Sequence, residues 1–264
     1  MSTIDYKDKI LPIIKEAGKI ISRNFNHRRE CQEKSYANYV TDLDKRVETF
    51  VIQEIRKLYP DARFVSEEDF PNMHSTTFWA LDPIDGTTNL LHGYRSVSIA
   101  LAHVIDGVTI FGAVYCPTSK ELFYAERGCG AYLETTKKTQ RIYVNSNPFL
   151  AHSLIGFGCP YDKSKIDYLF DILKPILSEC DDLKRQGPAS LDICYVACGR
   201  LSAYLELDLE VWDYLAGGLI LVEAGGTLMD FSNNCPDNCK SNILATNGKI
   251  HNELLNKVRK GISL

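Results

Sequence analysis

The stretch Trp79-Ala80-Leu81-Asp82-Pro83-Ile84-Asp85-Gly86-Thr87-Thr88-Asn89 carries more information than any other part of the chain. A strand-like apolar run leads into two acids three apart, and Gly, Thr and Thr follow at once. Pro83 restricts φ and carries no N–H. Ile84 leaves a carbonyl available, and Gly86 lets the backbone approach a ligand closely. Thr87 and Thr88 can open a helix, whose first N–H groups and dipole attract anions. Taken alone, Asp85-Gly86 is most simply a turn and Asp82 a cap. Carboxylates beside an anion site would also repel a phosphate unless cations lay between them. The other acids of the chain therefore decide the matter.

Two further acidic sites stand out. Ser66-Glu67-Glu68-Asp69 puts three consecutive acids at the end of a strand. Trp212-Asp213 starts an apolar helix, where Asp213 by itself reads as an N-cap. Gly217 and Gly218 in the early turns of that helix each cost about 1 kcal/mol relative to alanine, which points to close backbone packing. If Glu67, Asp82, Asp85 and Asp213 converge, each pair about 4 Å apart costs on the order of 4 kcal/mol at an effective dielectric of about 20. Cations would relieve that repulsion. An all-oxygen set suits Mg²⁺ or Mn²⁺ better than Zn²⁺, and two or more such ions can bridge a phosphate and activate water.

Around these acids the periodicities predict an α+β fold. Residues Ile4 to Phe25 and Asp42 to Leu58 repeat apolar positions at three- and four-residue steps, as amphipathic helices do. In the second helix Val47, Phe50, Val51, Ile55 and Leu58 share a face. Arg63–Ser66 and Thr77–Leu81 are expected as short strands. Val97 to Ile105 and Val108 to Tyr115 are apolar runs joined by Asp106-Gly107, a strong hairpin signal because both link residues tolerate positive φ. Glu121 to Ala125 and Ala131 to Glu134 continue an antiparallel sheet. In the second half, strands at 154–157, 203–207, 227–229 and 243–245 alternate with helices at 165–177, 190–198, 213–224 and 252–260. The two halves, about 1–147 and 148–264, are expected to pack as one domain with a cleft between them.

Composition narrows the function classes. The chain has 264 residues, 45% hydrophobic and 24% charged, with a formal net charge of −4. These values exclude disorder, collagen and a bare coiled coil, and the length suffices for a core without metal or disulfide staples. A protein gripping nucleic acid through phosphates needs a basic surplus, which is missing here. No apolar run reaches membrane-spanning length, and the N-terminus does not resemble a secretory signal. The nine cysteines form no framework and read as reduced thiols of a cytoplasmic protein. Cys235 and Cys239 flank three residues with no second ligand pair nearby, so that segment reads as a loop. There is no G-x-x-x-x-G-K-[ST], no G-x-S-x-G and no H-E-x-x-H. Gly128-Cys129-Gly130 lacks the third glycine of a dinucleotide fingerprint and reads as a turn.

Asp82-Pro83-Ile84-Asp85-Gly86-Thr87, with Glu67-Glu68 upstream and Trp212-Asp213-Tyr214-Leu215-Ala216-Gly217 downstream, resembles the inositol monophosphatase family, and Glu223-Ala224-Gly225-Gly226 extends the match. The segments occur in the family's order over essentially the whole chain. The resemblance implies a layered αβαβα sugar-phosphatase fold, a homodimer and a Mg²⁺-dependent, lithium-sensitive phosphatase in which Mn²⁺ can substitute. It implies that Glu67, Asp82 and the Ile84 carbonyl hold one metal, that Asp82, Asp85 and Asp213 hold a second, and that Glu67 helps with a third. Thr87 and Glu67 would orient the attacking water, with Asp44 assisting or else merely a solvated acid at a helix start. Asp85 and Asp213 would also face the substrate, and the N–H groups of Gly86 and Thr87 would receive its phosphate. The segment Gly187-Pro188-Ala189-Ser190-Leu191-Asp192 resembles the part that touches the organic moiety, through Gly187 and Ala189. Glu206, seven residues before Asp213, matches an acid that accepts hydrogen bonds from substrate hydroxyls.

Two departures matter. Pro188 stands where the family often has Ser or Thr, and Ser66 where Gly is common before the acid pair. The first leaves substrate identity open among inositol phosphates (inositol 1-phosphate foremost), other sugar phosphates, histidinol phosphate, the 2′-phosphate of NADP and fructose 1,6-bisphosphate; the second only tunes the loop. Asn89 and Glu206 favour a polyol monophosphate. A family member with an added regulatory binding role is the alternative of a different class.

Overall fold

The computed structural model describes residues 5–25, 31–35, 38–68 and 75–262. A π-helical turn, Tyr6–Ile10, runs into helix α1, Leu11–Asn24, and α2 covers Asp42–Leu58. Between them β1 (Cys31–Ser35) and β2 (Asn38–Thr41) form an antiparallel ribbon. The ribbon has no sequence signature, because CQEKS lacks both apolar alternation and β-branched residues. Ile10 of the π-helical turn and Ile14, Ala17 and Ile21 of α1 are fully buried, as are Val47, Val51 and Ile55 of α2. Leu58, expected on the same face, is exposed because it ends the helix as the chain turns away.

These helices cover one face of a seven-stranded sheet. Its strands are β3 (Phe64–Ser66), β4 (Phe78–Asp85), β5 (Ser98–Ile105), β6 (Val108–Cys116), β7 (Glu121–Glu126), β8 (Ala131–Glu134) and β9 (Thr139–Ile142), paired in that order. The link between β5 and β6 places Asp106 at φ 50° and Gly107 at φ 79°, the left-handed pair that a two-residue hairpin turn needs. The sheet is antiparallel except at one edge, where β3 lies parallel to β4. The expected strand over 77–81 runs on to Asp85. Its register slips by one residue between Asp82 and Asp85, a bulge that accommodates Pro83, which has no N–H for a ladder.

A second, five-stranded mixed sheet is ordered β11-β10-β12-β14-β13. These strands are β10 (Leu154–Phe157), β11 (Asp182–Lys184), β12 (Ala203–Leu209), β13 (Thr227–Asp230) and β14 (Ser241–Thr246). The short polar edge strands β9 and β11 have no apolar pattern and escape sequence reading. A short helix, α3, covers Thr87–Leu91. Helices α4 (Ile166–Leu177) and α7 (His251–Ile262) cover the outer face of the second sheet. Helices α5 (Ala189–Ala197) and α6 (Val211–Glu223) lie between the two sheets. Three apolar cores thus separate five layers, αβαβα: one under α1 and α2, one around α5 and α6, one under α4 and α7.

The middle layer explains the paired glycines. A Cβ on Gly217 would come within 2.9 Å of the Ser190 carbonyl of α5, and one on Gly218 within 2.6 Å of Leu228 on β13. From the other sheet, a Cβ on Gly112 would sit 2.6 Å from the Ala216 carbonyl. Helix α6 is therefore clamped between both sheets by missing side chains. Among the described residues, no helix is long and apolar enough to cross a membrane.

Candidate active site

A cleft of about 550 Å³ opens at the end of β4 where the two sheets approach α5 and α6. Glu67, Asp82, Ile84, Asp85, Glu206 and Asp213 line it, together with Gly86, Thr87, Gly187 and Ala189. Segments separated by up to 146 positions in sequence (213 − 67) thus meet in one depression. Asp69, the third acid of the run after β3, lies outside the described residues.

Each acid is held by a different local device. Asp82 Oδ1 accepts a hydrogen bond from the Ile84 N–H at 3.0 Å, across the proline that cannot donate. Asp85 Oδ2 accepts from both the backbone N–H (2.9 Å) and the hydroxyl (2.6 Å) of Ser190, at the first turn of α5. Asp85 is therefore a cap supplied from another part of the chain, and the helix dipole favours its charge. Asp213 was expected to start its helix. Instead Glu210 is the N-cap of α6 and Asp213 is N3, accepting the Glu210 N–H at 2.8 Å in a reciprocal capping box. That bond occupies Asp213 Oδ2. Lys240 Nζ donates to Glu210 at 2.8 Å.

Burial and proximity set the electrostatics. Loss of solvent raises the Asp82 carboxyl well above the usual carboxylate range, helped by the charges of Glu67, Asp85, Asp213 and Asp44. Asp213 is raised likewise by burial, then by Asp85. Asp85 is raised by burial against the lowering effect of its Ser190 bonds. The acids face a common space without closing into a tight cage: among the described residues, no three His, Cys, Asp or Glu side chains gather at metal-ligating spacing. The donor chemistry nonetheless fits a hard divalent cation. It consists of carboxylates and one carbonyl, mutually repelling and withdrawn from water. Cys235 and Cys239 are exposed thiols in a loop, as expected.

Asp44 is not a solvated acid. It is completely buried at the first turn of α2, where Oδ2 accepts the Thr41 N–H at 2.8 Å and also the Thr41 hydroxyl. Its other oxygen, Oδ1, accepts from the Thr87 hydroxyl at 3.0 Å, and the same hydroxyl lies 3.1 Å from the Ile84 carbonyl. The capping box of α2 thereby fixes the side chain at the start of α3. Thr87 leads α3 from Gly86, which takes φ 94°. The first-turn N–H groups of such a helix have no intrahelical partner.

On the facing wall Glu206 accepts a hydrogen bond from the Tyr204 hydroxyl. Burial raises its carboxyl to about 8, so in the metal-free protein it holds a proton at neutral pH. Gly158 is the residue that sequence reading missed: a Cβ there would fall 2.0 Å from the Glu206 carboxyl carbon. Its only signal is a glycine directly after a predicted strand. Ser190 was legible as part of a matched segment but not as the group that holds Asp85. Asn89 was expected to favour a polyol. Its amide nitrogen instead ties α3 to the Ser96 carbonyl (2.8 Å) and the Gln186 carbonyl (3.2 Å). Ser66, in place of glycine, is buried and donates to Glu48 of α2. Pro188 is the N-cap of α5, and its Cγ would lie 3.1 Å from a Cβ on Gly86.

Comparison with known proteins shows the family and the fold. Residues 8–263 match the profile of the inositol monophosphatase family. A curated relative from Pasteurella multocida, named Nus factor SuhB, is 35% identical over 254 residues, 94% of each chain. The solved IMPase of Thermotoga maritima superposes with a TM-score of 0.90 at 28% identity, covering 98% of this chain and 99% of that one. A staphylococcal IMPase-II solved with inositol monophosphate bound superposes with a TM-score of 0.81 at 28% identity, covering 96% and 93%.

Proposed function

Because the chain belongs to the inositol monophosphatase family, a family of phosphatases, we propose that it hydrolyses a small polyol phosphate monoester, inositol 1-phosphate first among the candidates, in a Mg²⁺-dependent reaction. Glu67, Asp82 and the Ile84 carbonyl would hold one ion, and Asp82, Asp85 and Asp213 a second. Bound Mg²⁺ supplies the positive charge that neutralises the phosphate and lowers the pKa of the attacking water. Mn²⁺ has the same preference for hard oxygen ligands and is expected to substitute.

The observation that carries the reading is the Asp44–Thr87 hydrogen bond inside an acidic cleft. With its proton directed to Asp44 and the Ile84 carbonyl, Thr87 Oγ1 presents lone pairs to the cleft and can accept a hydrogen bond from water. Glu67 is the second acceptor for the same water, which aims it at phosphorus. The N–H groups of Gly86 and Thr87 bind phosphate oxygens. Glu206, Gly187 and Ala189 hold the organic part, and Asp85 Oδ2 stays fixed on α5, which keeps the acid wall in place. The reaction is direct displacement by water, since the acids form Asp-x-x-Asp and not the Asp-x-Asp-x-Thr of an aspartyl-phosphate enzyme.

The test is phosphate release from chelator-treated protein across inositol 1-phosphate, histidinol phosphate, NADP and fructose 1,6-bisphosphate. Activity should vanish without divalent metal and return with Mg²⁺, with inositol 1-phosphate preferred. Full turnover in the absence of any divalent ion breaks the mechanism. Lithium sensitivity and a homodimer are expected from the family and are checked in the same preparations by titration and by sedimentation. A second reading draws support from relatives that carry the name Nus factor: an added regulatory binding role alongside hydrolysis. An Asp82→Asn variant that has lost turnover but keeps a regulatory phenotype in cells would establish that role.

A further inference from the structure

Behind Asp85 lies a buried pair of serine hydroxyls, of which one has so far been given no role. Strands β4 and β5 run antiparallel, and past the bulge at Pro83 the register sets Asp85 directly opposite Ser98. Opposed residues of an antiparallel pair project from the same face of the sheet. On that face stands the first turn of α5, whose Ser190 meets both side chains. Ser190 Oγ lies 2.6 Å from Asp85 Oδ2 and 3.1 Å from Ser98 Oγ, and both serines are completely buried. Helix α5 has no side-chain cap of its own, since Pro188 occupies the N-cap. Asp85 supplies the cap instead, accepting the Ser190 N–H at 2.9 Å through the same Oδ2.

Donor counting fixes the direction of each hydroxyl. A serine hydroxyl has one hydrogen and two lone pairs, and an ionised carboxylate only accepts. The Ser190 hydrogen is therefore committed to Asp85 Oδ2. Ser190 Oγ then meets Ser98 as an acceptor, and Ser98 is the donor. Among the described residues, Ser190 is also the only hydrogen-bond partner of the Ser98 hydroxyl, so its hydrogen pointed elsewhere would be buried and unpaired. Both hydrogens thus run one way, from Ser98 to Ser190 to Asp85. Bonds in such a chain polarise one another, and the first strengthens the second. With Oδ2 tied by the Ser190 hydroxyl and N–H, the plane of the Asp85 carboxylate is fixed, and with it the direction of Oδ1.

We propose that Ser98 is a positioning residue of the acid wall: its hydroxyl donates to Ser190 Oγ, which directs the Ser190 hydrogen to Asp85 and locks that carboxylate at the angle in which it meets a divalent cation. This role deepens the metal-dependent reading above and rests on it. Ser98 does not line the cleft and acts through Ser190 alone. Without it the Ser190 hydroxyl is free to rotate, and Asp85 keeps only the N–H bond as a fixed support.

The experiment is a double-mutant cycle of Ser98→Ala, Ser190→Ala and the two together. It is read as Mn²⁺ binding to chelator-treated protein by electron paramagnetic resonance, with inorganic phosphate present and no turnover. Ser98→Ala should weaken the binding of one ion by about threefold, as expected for one neutral hydrogen bond. Ser190→Ala should weaken it by about tenfold. The double variant should match Ser190→Ala within about 1.5-fold, because Ser98 has nothing to act through once the Ser190 hydroxyl is gone. Ser98→Thr, which keeps the donor, should bind Mn²⁺ within about twofold of wild type. Losses that multiply in the double variant, an unchanged affinity in Ser98→Ala, or a Ser98→Thr as weak as Ser98→Ala overturns the relay while leaving the phosphatase reading intact. A wild-type protein that binds no divalent ion overturns the reading and the relay together.

Discussion

Half of the acid wall of the cleft comes from one short run, Asp82 to Thr87, whereas the facing wall collects Tyr161, Gly187 and Glu206 from three separate segments. The first wall is a bulged strand end leading into a helix, so the spacing of its side chains is set by local backbone geometry. The second depends on how β10, β12 and α5 pack. Its Glu206 is held by the Tyr204 hydroxyl and has room because position 158 has no side chain. The difference teaches that Asp82 and Asp85 are spaced by local backbone geometry, while Glu67, Asp213 and the recognition of the organic moiety are brought in by packing. Changes to the first wall should alter turnover or metal affinity; changes to the second should alter KM and substrate preference.

The largest expected effect tests the first half of that contrast. Asp82→Asn should lower kcat by at least about a hundredfold, within the range for losing metal-assisted electrostatic stabilisation. The same variant should melt higher than wild type without metal at neutral pH. The sign follows from the raised carboxyl: a native-state pKa above the unfolded value favours the protonated form, so the ionised group opposes folding as pH rises through that range. A variant with near-normal kcat would remove Asp82 from the reacting centre. A lower melting temperature would show that the acid supports the fold.

Ser190→Ala probes the point where the two walls touch. It deletes the 2.6 Å hydroxyl bond to Asp85 and keeps the N–H bond at 2.9 Å. Loss of such a supporting partner should raise the Mg²⁺ half-saturation by roughly tenfold, with KM for the organic substrate little changed. A shift in KM alone would place Ser190 on the recognition side.

Gly158→Ala tests the packed wall alone. Its Cβ would fall 2.0 Å from the Glu206 carboxyl carbon, so the carboxyl must swing away. KM for inositol 1-phosphate should rise by about tenfold, the value of a strong hydrogen bond, while p-nitrophenyl phosphate hydrolysis holds. Unchanged KM would show that Glu206 does not contact substrate from its observed position.

The smallest effect is a pH dependence. Glu206 is raised to about 8 against an unfolded value of about 4.3. Its contribution to stability is present below the unfolded value and declines as pH rises from about 4.3 through about 8. Metal-free wild type should therefore lose stability relative to Glu206→Gln across that window, and differ little below it. At pH 7 the variant should raise KM for inositol 1-phosphate only about two- to threefold, since Gln resembles the protonated acid. Parallel melting curves at every pH would show that Glu206 ionises normally.

The sequence by itself carried the α+β layers, the helices α1, α2, α4 and α7, the Asp106-Gly107 hairpin and the candidate metal acids. Periodicity and short composite motifs encode these, because helix faces, turns and the Asp82–Thr87 run depend on neighbours in the chain. Tertiary structure decided that Asp44 is buried against Thr87 and that Asp85 caps α5. It also put Asp213 at the third position of α6, turned Asn89 into a strap, and cleared the space beside Gly158 for Glu206. The polar edge strands β9 and β11 emerged only with their sheets, since backbone pairing can stabilise a strand whose side chains show no pattern. A hydrogen bond between residues about a hundred positions apart, as between Asp85 and Ser190, leaves no periodic trace in either segment, and only packing around α5 and α6 brings the two together.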